Sequence, residues 1–486
     1  MPFPPDFPPN PYTILLVDKI FVDGEFIRPH GTEEMDIINP STSEKMATVI
    51  LGDEEDARRA IAAARRAFRA YSQTTARERQ ECLRRLRDAV LERAGEMTDA
   101  CVQEYGAPVG VARARTSLTA NAFGYAMELL DEFEFVERVG QAKVVLEPLG
   151  VAGIITPWNA SSSQIAMKLA SVLAAGCTAV IKPSELSATQ TGILMECLAA
   201  AGLPAGVVNL VNGRGEVVGN EISSNAGIDL VSFTGSTRAG QAIYRNSAES
   251  MKRITLELGG KSPNVILDDV DLGQALPQAV LDCYGNNGQM CIAASRLLVP
   301  EARLDEALAL VKKAAESVKV GYPWEEETML GPLATLGQFE RVQGYIRKGL
   351  EEGAQLLTGG LGRVEGLEGG YFARPTVFHK VKNSMAIARE EIFGPVLSVI
   401  SYRDEDEAVE IANDSPYGLA AYVSSTDLDR ANRIAGRLVA GRVVINGPRN
   451  DLKAPFGGFR LSGLGREYGA YGLRACLEPK TILGPG

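Results

Sequence analysis

Val151-Ala152-Gly153-Ile154-Ile155-Thr156-Pro157-Trp158-Asn159 is the stretch whose reading decides the fold of this chain. Its apolar run, 151–156, carries no polar alternation. Similar short runs recur at 178–182, 207–211, 229–233 and 253–258, separated by helix-like segments near 163–175 and 189–201. Runs of this length without alternation predict strands buried on both faces, as in a parallel sheet. Five of them alternating with helices predict a doubly wound α/β domain, in which ligands bind beyond the carboxyl ends of the strands. Chemistry-bearing residues fall at those ends: Asn159 after the first strand, Lys182 closing the second, Gly235 after the fourth, Glu257 closing the fifth.

Upstream, prolines crowd Met1–Pro11 and forbid helix, so an extended arm is expected there. A β-rich region follows from Ile20 to Met46. Asp53 then opens a helix with apolar positions at Ala60, Ile61, Ala64, Phe68 and Tyr71. Thr75 with Glu78 three residues on is a capping box for a second helix reaching about Ala94. Downstream of Gly260 a second α/β region runs to roughly Phe456, with helices near 301–318, 335–353 and 404–413 and strands near 396–402, 419–424 and 442–446. Ala142–Leu149 and Ala475–Leu483 are apolar strand-like pieces outside both regions. Left exposed they would pair with another chain as an oligomer arm; covered by their own chain they are ordinary edge strands.

Composition excludes several classes. At 486 residues the chain exceeds a single hydrophobic core, so two or three domains are expected. A net charge of −11 repels nucleic-acid phosphates and anionic lipid, so neither is expected as a partner. The seven cysteines show no paired spacing and no C-x-x-C, against a disulfide framework. With only His30 and His379, neither a zinc site nor a Ser-His-Asp triad is expected, and a general base would be a carboxylate or lysine. The N-terminus lacks a basic segment before a long apolar run, and Tyr12–Val17 is too short to span a membrane. These features predict a reduced, cytoplasmic protein.

Two segments have the chemistry of a nucleotide site. Phe233-Thr234-Gly235-Ser236-Thr237-Arg238-Ala239-Gly240 joins a buried strand to a helix, and free backbone N–H groups at a helix start suit pyrophosphate. It is not the G-x-G-x-x-G fingerprint, and the same residues can make a plain turn. Lys182-Pro183-Ser184-Glu185 places a lysine and a carboxylate where they could hold an adenosine ribose, and Glu185 would repel a 2′-phosphate, favouring NAD over NADP. A surface salt bridge is the alternative reading. Asn287-Gly288-Gln289-Met290-Cys291 sets one thiol after a polar, small-residue run.

Taken in order, Pro157-Trp158-Asn159, Lys182–Glu185, Phe233–Gly240, Glu257-Leu258-Gly259-Gly260, Gly288–Cys291, Glu391-Ile392-Phe393-Gly394-Pro395 and Pro455-Phe456-Gly457-Gly458 resemble the NAD(P)-dependent aldehyde dehydrogenase superfamily. The likeness extends from about Phe21 to Leu483 and includes the 34-residue separation of Glu257 from Cys291 (291 − 257). It implies an α/β fold of three parts. A Rossmann-like NAD-binding domain takes 1–128 and 150–259, an α/β catalytic domain 260–456, and a small β oligomerisation arm with the C-terminal segment 129–149 and 457–486. A homodimer or homotetramer is the implied assembly.

The resemblance also implies roles. Cys291 is the nucleophile that attacks a small-molecule aldehyde as thiolate, and an ordinary thiol near pKa ~8.5 needs help to ionise at neutral pH. Asn159 and the Cys291 backbone N–H hold the oxyanion of the thiohemiacetal. Collapse passes hydride to the nicotinamide and leaves a thioester, which Glu257 hydrolyses by activating water, releasing the carboxylic acid. Trp158, Gly235 and Ser236 fall to the pyrophosphate, Lys182 and Glu185 to the adenosine ribose, and Leu258, Gln338, Glu391 and Phe393 to the nicotinamide end. NAD is the expected cofactor, NADP the other admissible one, and no metal is implied. Trp158 as core packing and Gly394-Pro395 as a turn are the plainer alternatives. Where relatives carry an aromatic after Pro-Trp-Asn, this chain has Ala160-Ser161-Ser162-Ser163. With Gln164, Met167, Asn450 and Phe456 as further tunnel lining, the expected tunnel is wider and more polar, with room for a bulky or polar aldehyde. Two rivals stay open: a CoA-acylating semialdehyde dehydrogenase, and a non-catalytic binding protein on the same scaffold.

Overall fold

The five apolar runs form one parallel sheet in a computed structural model that describes residues 14–447 and 451–484. The strands are β1 (Val151–Ile155), β2 (Thr178–Lys182), β3 (Val208–Leu210), β4 (Leu230–Thr234) and β5 (Arg253–Glu257). Their spatial order is β5-β4-β1-β2-β3, all parallel, so the chain reverses direction across the sheet between β1 and β4. The loops leaving those two strands, Thr156–Ala160 and Gly235–Ser236, therefore diverge and open a crevice at their carboxyl ends. The proline-rich arm and Asn450 lie outside the described residues.

Alternation of side chains explains why the runs are apolar throughout. Ala152 and Ile154 of β1 join one core cluster while Val151 and Ile155 join the other, so each strand feeds both faces. One face is covered by α1 (Glu54–Tyr71), which contributes Ala57, Ala60, Ile61 and Ala64; Phe68 is only half-buried. The other face is covered by α2 (Ala76–Glu92), α3 (Ser161–Ala175) and α4 (Ala188–Ala200), through Leu83, Leu86, Ile165, Leu169, Leu194 and Leu198. The predicted capping box is present: Thr75 accepts from the Glu78 N–H at 3.2 Å and Glu78 accepts from the Thr75 N–H at 2.7 Å.

The second region builds its own sheet from β6 (Pro263–Ile266), β7 (Arg296–Pro300), β8 (Thr376–His379), β9 (Val396–Tyr402), β10 (Ala420–Ser424) and β11 (Arg442–Ile445). The order β8-β9-β7-β6-β10-β11 is parallel, with Gln355–Thr358 added antiparallel at the β8 edge. Gly463–Leu464 returns to the first sheet and pairs antiparallel with the end of β5, opposite Leu256 and Glu257.

The two apolar pieces outside both sheets pair with each other. Ala142–Pro148 lies between Val136–Val139 and Leu477–Ile482 in a three-stranded antiparallel sheet. Own-chain pairing thus covers both edges of the middle strand and leaves the outer edges free, with Val136, Val139 and Ile482 exposed. Among the described residues no helix is long and apolar enough to cross a membrane.

Candidate active site

The glycines of these motifs are contact points where the motifs press together. A Cβ on Gly260 would sit 2.3 Å from the Cys291 carbonyl oxygen, and one on Gly259 2.5 Å from Glu391 Oε2. Gly288, at φ +69°, would drive a Cβ to 2.3 Å from the Gly394 backbone, and one on Gly457 would lie 2.7 Å from Glu257 Oε1. Side chains are excluded at these positions because the Glu257–Gly260, Gly288–Cys291, Glu391–Pro395 and Pro455–Gly458 segments meet there. The four segments form one site.

The loop bearing Cys291 is set by buried polar side chains. Asn286 and Asn287 both adopt left-handed backbone, a conformation asparagine tolerates better than most residues. The Asn287 amide donates to the Gly106 and Pro332 carbonyls at 3.0 and 2.8 Å and accepts from the Gly331 N–H at 2.7 Å. Gln289 donates to the Tyr105 hydroxyl at 3.0 Å and accepts from the Ala334 N–H at 3.1 Å. Asn159 reaches across from the end of β1 and donates to the Gln289 carbonyl at 2.8 Å. One amide hydrogen of Asn159 is thereby anchored, which fixes the direction of the other. The scaffold role of Asn287 depends on partners 45 and 181 residues away, which the polar run before Cys291 does not announce.

Cys291 is the one cysteine of seven that is not buried. Desolvation, then the charges of Glu391 and Glu257, push its pKa up to about 12, against smaller opposing effects of the Cys291 and Ile292 backbone N–H groups. Alkylation of Cys291 by iodoacetamide in the nucleotide-free protein is therefore expected to accelerate about tenfold per pH unit from pH ~7 to ~10. A plateau near neutrality would show a preformed thiolate.

Glu257 closes β5, is buried, and among the described residues neither carboxylate oxygen has a hydrogen-bond partner. Burial and the nearby charge of Glu467 raise its pKa well above the ordinary carboxylate range, against smaller opposing effects of Lys168 and Arg466. Lys168 on α3 pairs with Glu467, and both bond Ser232 of β4, the lysine at 3.2 Å and the glutamate at 3.1 Å. This buried triad escaped sequence reading because its two charges lie 299 residues apart.

On the other side of the loop, Glu391 accepts from the Gly260 N–H at 3.1 Å, and burial raises its pKa to about 7. Phe393 has φ +63° and packs edge-on against Trp158, with ring centroids 5.4 Å apart. That strained turn is clamped by carbonyl hydrogen bonds. Gln338, in the first turn of the helix Leu336–Glu351, donates to the Phe393 and Ile392 carbonyls at 2.7 and 3.2 Å. Arg341 donates to the Glu391 carbonyl at 2.6 Å. Gln338 thus holds the loop through its amide nitrogen.

At the crevice, the Gly235 N–H bonds the Glu257 carbonyl at 3.0 Å, joining the ends of β4 and β5. Ser236 is the N-cap of α5 (Thr237–Asn246); its hydroxyl accepts from the Ala239 N–H at 3.2 Å. Lys182 and Glu185 form an ion pair at 3.0 Å. Leu258 is buried, packed into the core against Gly240.

Of the expected tunnel residues, Ser163 is buried and donates to the Ala160 carbonyl at 3.0 Å, so its hydroxyl proton is consumed within its own helix. Gln164 is half-buried. Met167 lines a cavity of about 400 Å³ with Tyr125, Leu129, Leu452 and Tyr468. Phe456 stacks on Tyr468 at 5.2 Å between centroids. Arg460, which the sequence left without a reading, donates to the Asn413 and Ser415 carbonyls at 2.7 and 2.6 Å. Among the described residues no group of His, Cys, Asp and Glu is placed to hold a metal ion.

A sequence model of the aldehyde dehydrogenase family matches residues 26–482. The chain is 47% identical to 3-succinoylsemialdehyde-pyridine dehydrogenase of a Pseudomonas species, over 96% of this chain and 98% of that protein. Its structure is similar to that of a C291A mutant of aldehyde dehydrogenase C from Pseudomonas syringae, solved with NAD+ and octanal. The TM-score is 0.95 at 44% identity, covering 98% of this chain and 97% of the other. An aldehyde dehydrogenase of Mycobacterium tuberculosis complexed with NAD+ gives a TM-score of 0.94 at 38% identity, over 97% and 99% of the two chains.

Proposed function

The chain belongs to the aldehyde dehydrogenase family, and from that premise we propose that it oxidises an aldehyde to the carboxylic acid with NAD, using Cys291 as nucleophile, Asn159 as oxyanion donor and Glu257 as base. The observation that carries the reading is Glu257, a carboxylate buried at the end of β5 against Gly457, whose charge reaches Cys291. Burying a carboxylate costs stability, which a role in the chemistry accounts for.

The residues fit the nucleotide. α5 presents backbone N–H groups after Gly235, Lys182 and Glu185 supply a donor and an acceptor for ribose hydroxyls, and Glu391 has one oxygen not engaged by Gly260. Trp158 and Phe393 offer aromatic surface between them. When bound, NAD supplies the acceptor for the hydride that leaves the substrate carbon.

The remaining work falls to the chain. Cys291 Sγ adds to the carbonyl carbon as its proton passes to a water molecule, and the carbonyl π pair moves to oxygen, which becomes an oxyanion. Asn159, already anchored through Gln289, needs no reorganisation to donate its second amide hydrogen to that oxygen, and the Cys291 N–H is the second donor. With the thioester formed, Glu257 takes a proton from water, hydroxide adds to the acyl carbon, and the carbon–sulfur bond breaks to release the carboxylate. The raised pKa of Glu257 makes its ionised form a stronger base than an ordinary carboxylate. Lys168, paired with Glu467, offsets part of the charge that would otherwise keep Glu257 protonated.

The cavity beside Met167 and Tyr468 supports a substrate with more than an acetyl tail. Catalytic efficiency is expected to rise by about tenfold or more from acetaldehyde to medium-chain or aromatic aldehydes, each buried methylene contributing about 0.8 kcal/mol. A panel with NAD, scored for NADH and for free carboxylate, measures this. A preference for acetaldehyde rejects the tail reading. NADH that forms only when CoA is added favours the acylating rival, and none across the panel favours a binding protein.

A further inference from the structure

The helix α3 begins without a side-chain cap. Ala160 stands at its N-cap, and the first N–H groups, of Ser161, Ser162 and Ser163, find no acceptor among the described residues. Those groups carry the positive end of a 15-residue helix. The hydroxyls of Ser161 and Ser162 have no partner among the described residues either, although the two residues are only 1% and 8% exposed. Arg115, on the helix Val109–Glu132, reaches the same place. Its guanidinium lies 5.0 Å over the Tyr105 ring, beside the Cys101 thiol, and forms no ion pair among the described residues. Glu104, one turn on from Cys101, is committed elsewhere: its two oxygens accept from the Thr189 and Gln190 N–H groups at 2.7 and 3.1 Å and cap α4.

Ala160, Ser162, Ser163 and Arg115 line one cavity of about 10 Å³, the space of a single oxygen atom. Ser163 spends its proton on the Ala160 carbonyl, but Ser162 still has one to give. The groups left unsatisfied here are donors: helix N–H groups, a buried hydroxyl and a guanidinium without a counter-ion. Holding them together out of bulk water costs stability that an anion restores. The planar guanidinium suits the two oxygens of a carboxylate. Asn159, assigned above as the oxyanion donor, is the residue before Ala160, so the cavity adjoins the place where the reaction turns a neutral aldehyde into an anion.

We propose that the start of α3, Ser162 and Arg115 form a carboxylate subsite beside the catalytic thiol, with one carboxylate oxygen in the cavity and the other on the Arg115 guanidinium. Such a carboxylate has two sources: the acid released from Cys291, and the far end of an oxo acid taken as substrate. The place of the subsite in the reaction rests on the dehydrogenase reading, whereas its binding test does not.

Calorimetric titration of the full chain compares hexanoate with hexanamide, which has the same shape without the charge. Hexanoate is expected to bind wild type about tenfold or more tighter than hexanamide. Arg115→Gln should remove that margin while moving hexanamide binding by less than about twofold. Ser162→Ala, which leaves the contact of Arg115 with Tyr105 in place, should narrow the margin about threefold. Steady-state assay then separates the two sources. If oxo acids are taken, kcat/KM for 6-oxohexanoate relative to hexanal falls about tenfold in Arg115→Gln, through KM. If only the product acid is held, that ratio stays, and inhibition of hexanal oxidation by hexanoate weakens about tenfold. Hexanoate binding no tighter than hexanamide in wild type overturns the proposal and leaves the dehydrogenase reading standing. So does a margin that neither substitution moves by about twofold. The expected margin with no NADH from any aldehyde keeps the carboxylate subsite and overturns the dehydrogenase reading.

Discussion

Replacing Cys291 by alanine is expected to abolish aldehyde-dependent NADH formation, a loss of about 10⁴-fold or more, while NAD still binds. The size follows from the absence of a substitute. The other six thiols, Cys82, Cys101, Cys177, Cys197, Cys283 and Cys476, are all buried. Three of them are spent as donors to carbonyls, Cys177 to Cys476, Cys197 to Ala89 and Cys283 to Val396, at 3.3, 3.5 and 3.6 Å. Truncating Cys291 leaves the loop intact, because its anchors are Asn286, Asn287 and Gln289. Steady-state assay shows the loss, and nucleotide titration shows the fold retained. Turnover above about 1% of wild type would move the nucleophile elsewhere.

The parallel sheet was legible because a strand feeding two cores must be apolar at every position, and Val151–Ile155 and Thr178–Lys182 are buried at each residue. The helix at Thr75 was legible because its cap is complete within four residues. The candidate site was legible where short motifs carry it, at Asn159, Glu257 and Cys291. What escaped was pairing across the chain. Asn287 reads as loop filler until Gly106 and Pro332 are brought to it, and Lys168 and Glu467 read as two surface charges until β4 sets Ser232 between them. Ser163, expected on the tunnel wall, donates its hydroxyl proton to the Ala160 carbonyl three residues back. Motif spacing carries no information about desolvation, which is the largest influence on the pKa of Cys291.

Glu257→Gln is expected to separate the two halves of the reaction. Glutamine fills the same volume beside Gly457 but cannot take a proton, so the acyl group forms on Cys291 and stays there. Rapid mixing with NAD and aldehyde should give a burst of about one NADH per site, followed by steady-state turnover reduced about 10³-fold. The trapped acyl group should add its mass to the intact protein. In wild type, hydrolysis should rise with pH as Glu257 loses its proton, and the raised pKa sets that rise above the range of an ordinary carboxylate. The variant has no group to ionise there, so its residual rate should be flat over the same interval. Stability carries the matching sign. A carboxylate raised in the fold stabilises fully only below its unfolded pKa, and that contribution is lost as pH rises through its folded value. Denaturant midpoints of wild type should therefore fall relative to the variant as pH rises across that window. Normal steady-state turnover in Glu257→Gln would remove the base from this residue. Loss of the burst itself would place Glu257 in the thiol's attack instead, where its charge already reaches Cys291.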